Sequence, residues 1–195
     1  MLRAIAALAL LGTAAAFTSP AAPLRTSRGA LAARRAAQPG LRAARASAFP
    51  AFLPQEMSEI EDPACIAMAQ GLQRTPVEIP AEFATAPIET SFAKTACAPA
   101  GGAAPVLLLH GFDSSVLEFR RLLPELQSRG IAAWAMDILG WGFTARAPAA
   151  ADFSPAAKRA HLRAFIEKEI GAPVTLVGAS LGGSNPRPVA SLLPY

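Results

Sequence analysis

Apolar residues in the second half of the chain form a continuous run, at residues 106–109, and two further short runs that are wholly or largely apolar, at 131–136 and 173–177. Runs of this length without alternation are typical of strands buried on both faces of a parallel sheet. The stretches between them are long enough for helices, and strand–helix–strand units of this kind form right-handed crossovers. The pattern therefore predicts an α/β fold with a mostly parallel sheet and flanking helices.

Two amphipathic stretches between the runs predict the helices. Ser115 and Glu118 fit a capping box, in which the serine oxygen accepts from the third helical amide and the glutamate accepts from the serine amide. Ser154, followed by a proline, is placed to begin the second helix. Gly130 and Gly171 are placed to end the two helices in a left-handed conformation. The residues expected to face the sheet are Phe119, Leu122, Leu123 and Leu126, then Leu162, Phe165, Ile166 and Ile170.

The region before residue 105 carries weaker signals. Residues 51–74 are expected to be a polar connector with a short helix around 57–73, and two short strands are expected at 77–79 and 88–92. Cys65 and Cys97 match no metal or redox spacing. One bridge between them is an open alternative, but two free thiols are the preferred interpretation.

The first 50 residues contain seven arginines and neither lysine nor acidic residues. Residues 1–16 have a basic start, a short apolar core and small residues, which is typical of a signal peptide, and residues 17–50 have the composition of a transit peptide. The two in succession, with Phe17 at the junction, resemble the bipartite leaders of algae whose plastids lie inside extra membranes. We therefore expect a plastid location; secretion and a mitochondrial presequence are the alternatives.

The net charge of +4 comes from this leader, because the remaining residues contain 11 basic and 14 acidic side chains. A mildly acidic mature chain lacks the basic surface on which nucleic-acid binding depends. The sequence therefore predicts no nucleic-acid partner. It also predicts no transmembrane segment in the mature chain, because the leader's apolar core is far shorter than a spanning helix.

The third apolar run leads into GASLG, residues 178–182. This G-x-S-x-G pattern is weak by itself, but a position between a buried strand and a helix is that of a nucleophile elbow. Gly178 and Gly182 remove side chains that would collide in so tight a turn, and the turn imposes strained dihedrals on Ser180. The sequence predicts Ser180 as a catalytic nucleophile; the alternative is a tight turn without chemistry.

His110, Gly111 and Phe112 follow the first apolar run. A glycine there allows the backbone to present an amide toward Ser180. The amides of Phe112 and Leu181 would then form an oxyanion hole, with two donors directed at the charge that develops on a carbonyl oxygen. We expect His110 to hold the loop by hydrogen bonds rather than to act as the general base.

The stretches PVLLLHGFDSS, LEFRRLLPEL, DILGWGF and VTLVGASLGG resemble the plastid and cyanobacterial members of the α/β-hydrolase superfamily, over residues 73 to 183. The resemblance implies a Ser–His–acid triad in which Ser180 attacks an ester or similar acyl bond. It also implies that Asp137 orders the turn after its strand and is not the triad acid. Epoxide hydrolases of this superfamily use an aspartate nucleophile, so a serine argues against that chemistry.

In this superfamily the acid and the histidine follow the serine along the chain. Residues 181–195 contain no Asp, Glu or His, and His161 lies in the second predicted helix as a surface or packing residue. Pro186 and Pro188 would interrupt the helix expected after Ser180. We therefore expect an α/β-hydrolase domain that is incomplete, with its N-terminal half at 75–183 and an aberrant tail at 184–195.

The sequence thus predicts a serine hydrolase of ester or lipid-like small molecules that is inactive as this truncated chain. No metal or organic cofactor is implied. The alternatives are a non-catalytic relative that binds a small ligand, and a chain without a stable fold.

Overall fold

The computed structural model describes residues 49–145 and 152–184. The predicted leader up to residue 48 and the predicted tail from residue 185 onward lie outside the described residues. The secondary structure consists of five strands, four α-helices, two short 3₁₀ turns and one π turn in the described part of the chain.

The strands form one sheet in the order β1-β2-β4-β3-β5. They are β1 (Gln73–Val77), β2 (Ile88–Lys94), β3 (Val106–Leu109), β4 (Ala133–Met136) and β5 (Thr175–Gly178). β3 is parallel to both of its neighbours, β4 and β5. β2 is antiparallel to both β1 and β4, so the sheet is mixed. The predicted α/β fold is confirmed, and the parallel part comprises the three apolar runs.

The strand predicted at 77–79 is wrong, because β1 lies at Gln73–Val77. Its sequence, QRTPV, has no apolar alternation and includes Pro76, which is tolerated because β1 pairs only with β2 among the described strands. The strand predicted at 88–92 is confirmed and extends to Lys94.

The helices are α1 (Pro63–Gln70), α2 (Leu122–Ser128), α3 (Pro155–Phe165) and α4 (Leu181–Ser184). The 3₁₀ turns are Gln55–Glu59 and Val116–Phe119, and the π turn Ile166–Ile170 continues α3. The cap predicted at Ser154 is confirmed, since its Oγ accepts from the Ala157 amide at 3.2 Å. Gly130 and Gly171 have the predicted left-handed conformation, with φ of 71° and 67°.

The capping box predicted at Ser115 is wrong in both of its hydrogen bonds. Ser115 Oγ accepts from the Leu117 amide at 3.3 Å, and the Glu118 carboxylate accepts from the Gly111 amide at 3.0 Å. The 3₁₀ turn also shifts the phase of the helix that follows, so Leu122, which was predicted to be buried, is 41% exposed.

The core lies on both faces of the sheet, because alternate strand residues point to opposite sides. On one face, Leu107 and Leu109 pack with Trp134, Met136 and the inner side of α3. On the other face, Leu108 packs with Ala133, Ala135 and the residues around α2. The carboxyl ends of β3, β4 and β5 therefore project from one edge of a packed sheet, where the predicted site residues follow.

Candidate active site

Ser180 occupies the junction between β5 and α4. Its φ is +48°, and among the described non-glycine residues only Asp113, at +52°, also has a positive φ. The turn is closed by the Gly182 amide on the Ala179 oxygen at 2.8 Å and by the Gly183 amide on the Ser180 oxygen at 2.9 Å. A serine held in a left-handed conformation costs about 1–3 kcal/mol, so the surrounding turn must impose it.

Gly178 and Gly182 are required by the close approach of backbone around this turn. A Cβ on Gly178 would overlap the Gly182 carbonyl group, and a Cβ on Gly182 would overlap the Leu109 oxygen. β5 is aligned with β3 so that Gly178 lies opposite Leu109, and the Ala179 amide donates to the Leu109 oxygen at 3.0 Å. The turn around Ser180 is thus packed directly against the loop that follows β3.

That loop begins with His110 and Gly111 and lies beside the serine. A Cβ built on Gly111 would be 3.8 Å from Ser180 Cβ and 3.7 Å from the Ala179 oxygen. Phe112 follows with its side chain 69% exposed, and its ring packs edge-on against Trp141 with centroids 4.8 Å apart. The structure therefore brings Gly111 and Ser180 together. Leu181, the second predicted oxyanion donor, is the first residue of α4.

His110 is fully buried and both of its ring nitrogens are engaged. Its Nδ1 lies 2.8 Å from the Gly111 oxygen, and its Nε2 accepts from the Ile138 amide at 3.1 Å. Because Nε2 is an acceptor, the ring is neutral with its proton on Nδ1. The 3.7 Å approach of Nε2 to Asp137 Oδ1 is therefore not an ion pair. His110 links two loops and has no nitrogen left to accept a proton from Ser180.

Asp137 is fully buried at the end of β4 and accepts three hydrogen bonds. The donors are the Val116 amide at 2.6 Å, the Phe143 amide at 2.7 Å and the Ser91 hydroxyl. Burial raises the pKa of Asp137 above its ordinary value, and these hydrogen bonds oppose part of the rise. A Cβ on Gly142 would overlap the carboxylate, so glycine is needed where this loop turns back. The role of Asp137 is therefore to hold this loop in place through its hydrogen bonds.

His161, on α3, is the second histidine and is also fully buried. The Thr90 hydroxyl donates to the Ile88 oxygen at 3.0 Å, so the 2.6 Å contact from His161 Nε2 to that hydroxyl is donated by the ring. Nδ1 has no partner among the described residues. Burial lowers the pKa of His161 to about 4. This side chain packs against β2 and is neutral at physiological pH.

Glu118 is a residue of this site that sequence reasoning missed. It is exposed, and its Oε2 accepts the Gly111 amide at 3.0 Å. The sequence placed it in a helix cap, which is the ordinary use of a glutamate three residues after a serine. No local pattern points to its actual partner, because the loop 110–115 must fold back before the two residues meet.

Among residues 49–145 and 152–184, no group of three or more His, Cys, Asp or Glu side chains is arranged to hold a metal ion. Cys65 and Cys97 are free thiols, as predicted. No helix in the described ranges is long and apolar enough to span a membrane.

The strand order, the glycine-flanked serine after β5 and the loop after β3 define an α/β-hydrolase fold. Residues 106–194 match the model of the alpha/beta hydrolase family. The chain is 39% identical over 138 residues to the "Alpha/beta hydrolase domain-containing protein VTE7" of Arabidopsis thaliana. The aligned region covers 70% of this chain and 41% of that protein. The predicted membership of the α/β-hydrolase superfamily is therefore confirmed for residues 106–194, which the family model matches.

Solved structures agree on the fold. The match to a "probable hydrolytic enzyme" of Pseudomonas aeruginosa covers 62% of this chain and 37% of the length of that enzyme, with a TM-score of 0.53 and 22% identity. The Cif epoxide hydrolase of Acinetobacter nosocomialis matches 72% and 41%, with a TM-score of 0.54 and 18% identity. The chain therefore spans about two fifths of the length of these relatives.

Proposed function

We propose that this chain carries the nucleophile and the oxyanion hole of a serine hydrolase that acts on esters of small or lipid-like molecules. The observation that supports this proposal most strongly is the left-handed Ser180, held between a strand and a helix by two glycines that tolerate no side chain. Such strain persists where the surrounding structure enforces it, and it is concentrated at functional sites.

In the proposed reaction, Ser180 Oγ attacks the carbonyl carbon of the ester. The carbonyl oxygen becomes an oxyanion that accepts hydrogen bonds from the amides of Phe112 and Leu181. The proton of Oγ passes through a histidine to the leaving alkoxide, and an acyl-enzyme results. Water then releases the acid by the same steps, and Ser180 regains its proton.

The histidine of that scheme has no candidate near Ser180 in the 195 residues. Both nitrogens of His110 are occupied, His161 is buried against Thr90, and residues 181–195 contain no Asp, Glu or His. We therefore propose that the chain as it stands does not turn over esters. The second candidate is a non-catalytic relative that binds a small ligand at this site.

Epoxide hydrolysis is not proposed, although several structural neighbours, including the one from Acinetobacter nosocomialis, are described as epoxide hydrolases. A serine that opened an epoxide would form an ether, which has no carbonyl group for water to attack. An oxyanion hole beside Ser180 would serve no purpose in that reaction. At 18% identity the likeness to that neighbour concerns the fold alone.

The experiment compares two proteins on p-nitrophenyl esters. The first is the 195-residue chain. The second is a hybrid in which residues 1–183 are followed by the corresponding downstream part of the Arabidopsis relative. We expect hydrolysis by the hybrid that Ser180→Ala abolishes, and hydrolysis by the chain itself that is no faster than in its own Ser180→Ala variant.

A hybrid that binds a substrate-like ester without Ser180-dependent hydrolysis would support the ligand-binding candidate instead. A Ser180-dependent burst from the 195-residue chain alone would contradict the proposed inactivity. His161→Gln in the hybrid is the matched control, since a buried packing residue should leave kcat close to that of the unaltered hybrid.

A further inference from the structure

Glu118 is an exposed acidic residue whose carboxylate is fixed on the loop after β3. Its Oε2 accepts the Gly111 amide at 3.0 Å and lies 3.9 Å from the position that a Gly111 Cβ would occupy. A hydrogen bond to an ionised acceptor is stronger than one between neutral groups. The carboxylate therefore determines where the Gly111 nitrogen lies, beside Ser180.

Gly111 is held at its other end by His110. The His110 Nδ1 donates to the Gly111 oxygen at 2.8 Å. That oxygen and the Phe112 N–H belong to the same planar peptide unit, and the described residues contain no cis peptide bond. In a trans peptide the C=O and the N–H point in opposite directions. The direction of the Phe112 N–H is therefore set once both ends of Gly111 are fixed.

We propose that Glu118 is a positioning residue of the oxyanion hole, which holds the Gly111 nitrogen so that the Phe112 amide is directed at the oxygen of a substrate bound to Ser180. This inference rests on the proposed function, because it takes the Phe112 amide as an oxyanion donor. In this role Glu118 sets the loop conformation through the backbone of Gly111 and does not touch the substrate.

The effect of Glu118 should be local. The rest of the loop keeps its own supports, because the Val116 amide is bound by Asp137 and the Leu117 amide by Ser115. Glu118 is itself exposed and contributes no core packing. Its removal should therefore lower the melting temperature by no more than about 5 °C, the effect of one lost hydrogen bond, while the peptide between Gly111 and Phe112 moves.

The sequence allows a selective NMR test on the full 195-residue chain. The dipeptide His-Gly occurs once, at 110–111, so a carbonyl-¹³C-His and ¹⁵N-Gly sample reports only the Gly111 amide. The dipeptide Gly-Phe occurs twice, at 111–112 and 142–143, so the matching sample reports only Phe112 and Phe143. Phe143 is an internal control, because its amide donates to Asp137 and does not contact Glu118.

Glu118→Ala should move the Gly111 and Phe112 signals and leave the Phe143 signal in place. It should also accelerate hydrogen exchange of the Gly111 amide by roughly tenfold or more, as expected when a hydrogen bond to a charged group is lost. Glu118→Gln retains an acceptor oxygen but loses the charge, so its Gly111 and Phe112 signals should lie closer to the wild type than those of Glu118→Ala. Glu125→Ala is the matched control, since Glu125 is exposed and pairs only with Arg129 among the described residues.

Several results would overturn the inference. One is a Gly111 shift in Glu118→Ala without any change at Phe112, which would make Glu118 purely structural. Others are an equal movement of Phe143, a Glu118→Gln variant that behaves like Glu118→Ala, or random-coil positions of Gly111 and Phe112 in the wild type. None of these readouts depends on the reactivity of Ser180, so a failure here is distinguishable from a failure of the proposed hydrolase activity.

Discussion

His161 should make the stability of this protein fall as the pH drops below 6.5. In the fold its ring is buried, Nε2 donates to Thr90, and Nδ1 has no partner in the described part of the chain. Protonation would place a charge and an unpaired N–H in the core, which is why burial lowers the pKa of His161 to about 4 from an ordinary 6.5. The perturbation is His161→Gln, which can still donate to Thr90 and does not titrate.

The sign follows from the two pKa values. Above pH 6.5 the histidine is neutral in both states and carries no penalty. Between pH 6.5 and 4 the unfolded chain binds a proton that the folded chain does not, so stability is lost as the pH falls. Each pKa unit is worth about 1.36 kcal/mol, so the full loss is about 3 kcal/mol and the loss at pH 5 is about 2 kcal/mol.

The assay is urea unfolding of wild type and His161→Gln at pH 7.5 and pH 5.0, followed by tryptophan fluorescence. The difference between the two proteins in free energy of unfolding should change by about 2 kcal/mol between these pH values, in favour of the variant at pH 5. Other titrating groups, including Asp137, contribute equally to both proteins and cancel. Arg163→Gln, on the exposed side of α3, should show the wild-type pH dependence. Parallel pH profiles for wild type and His161→Gln would show that His161 is not the source of the acid sensitivity.

Three further predictions concern the turn, the loop and the leader. Gly182→Ala should lower the free energy of unfolding by about 1–3 kcal/mol or more, because the new Cβ meets the Leu109 oxygen, while Gly71→Ala, with its nearest neighbour at 3.6 Å, should be close to neutral in the same denaturation assay. Asp137→Asn should cost at least about 2 kcal/mol in that assay, because its amide nitrogen cannot accept from the donors that bind the carboxylate; an unchanged midpoint would contradict this. A fluorescent fusion of residues 1–50 should reach the plastid and Phe17→Ala should retain it in an outer compartment, whereas export of the unaltered fusion to the medium would contradict the prediction.

The strands of the parallel part were predictable because their signal is local. An uninterrupted apolar run such as residues 106–109 has few alternatives to a buried strand, and the structure places β3 there. Ser154, Gly130 and Gly171 were predictable for the same reason, since a cap or a left-handed residue is specified by its immediate neighbours.

The errors arose where position depends on contacts between distant residues. β1 is a polar strand that is defined by its pairing with β2 and not by its own pattern. Because of the break between the 3₁₀ turn and α2, the side chain of Leu122 does not face the core as predicted. The hydrogen bond from Ser91 to Asp137 joins residues 46 positions apart, and no spacing rule reaches that far.

The same limit applies to the candidate site. Ser180 and its flanking glycines were identifiable because a strand–turn–helix junction constrains residue types over five positions. The hydrogen bond from the Gly111 amide to Glu118 was not predictable, because the sequence indicated a more common role for this glutamate, in a helix cap with Ser115. Residues that act through the backbone of a loop carry no motif of their own, and coordinates are needed to find them.

We propose above all that Ser180 is the nucleophile of an ester hydrolase. The most direct measurement is mass spectrometry of the hybrid protein after rapid acid quenching of its reaction with p-nitrophenyl acetate. We expect one acetyl group on the peptide that contains Ser180, located on the Ser180 side chain and missing in Ser180→Ala. Turnover without any acyl-enzyme, or an acetyl group that remains in Ser180→Ala, would contradict it.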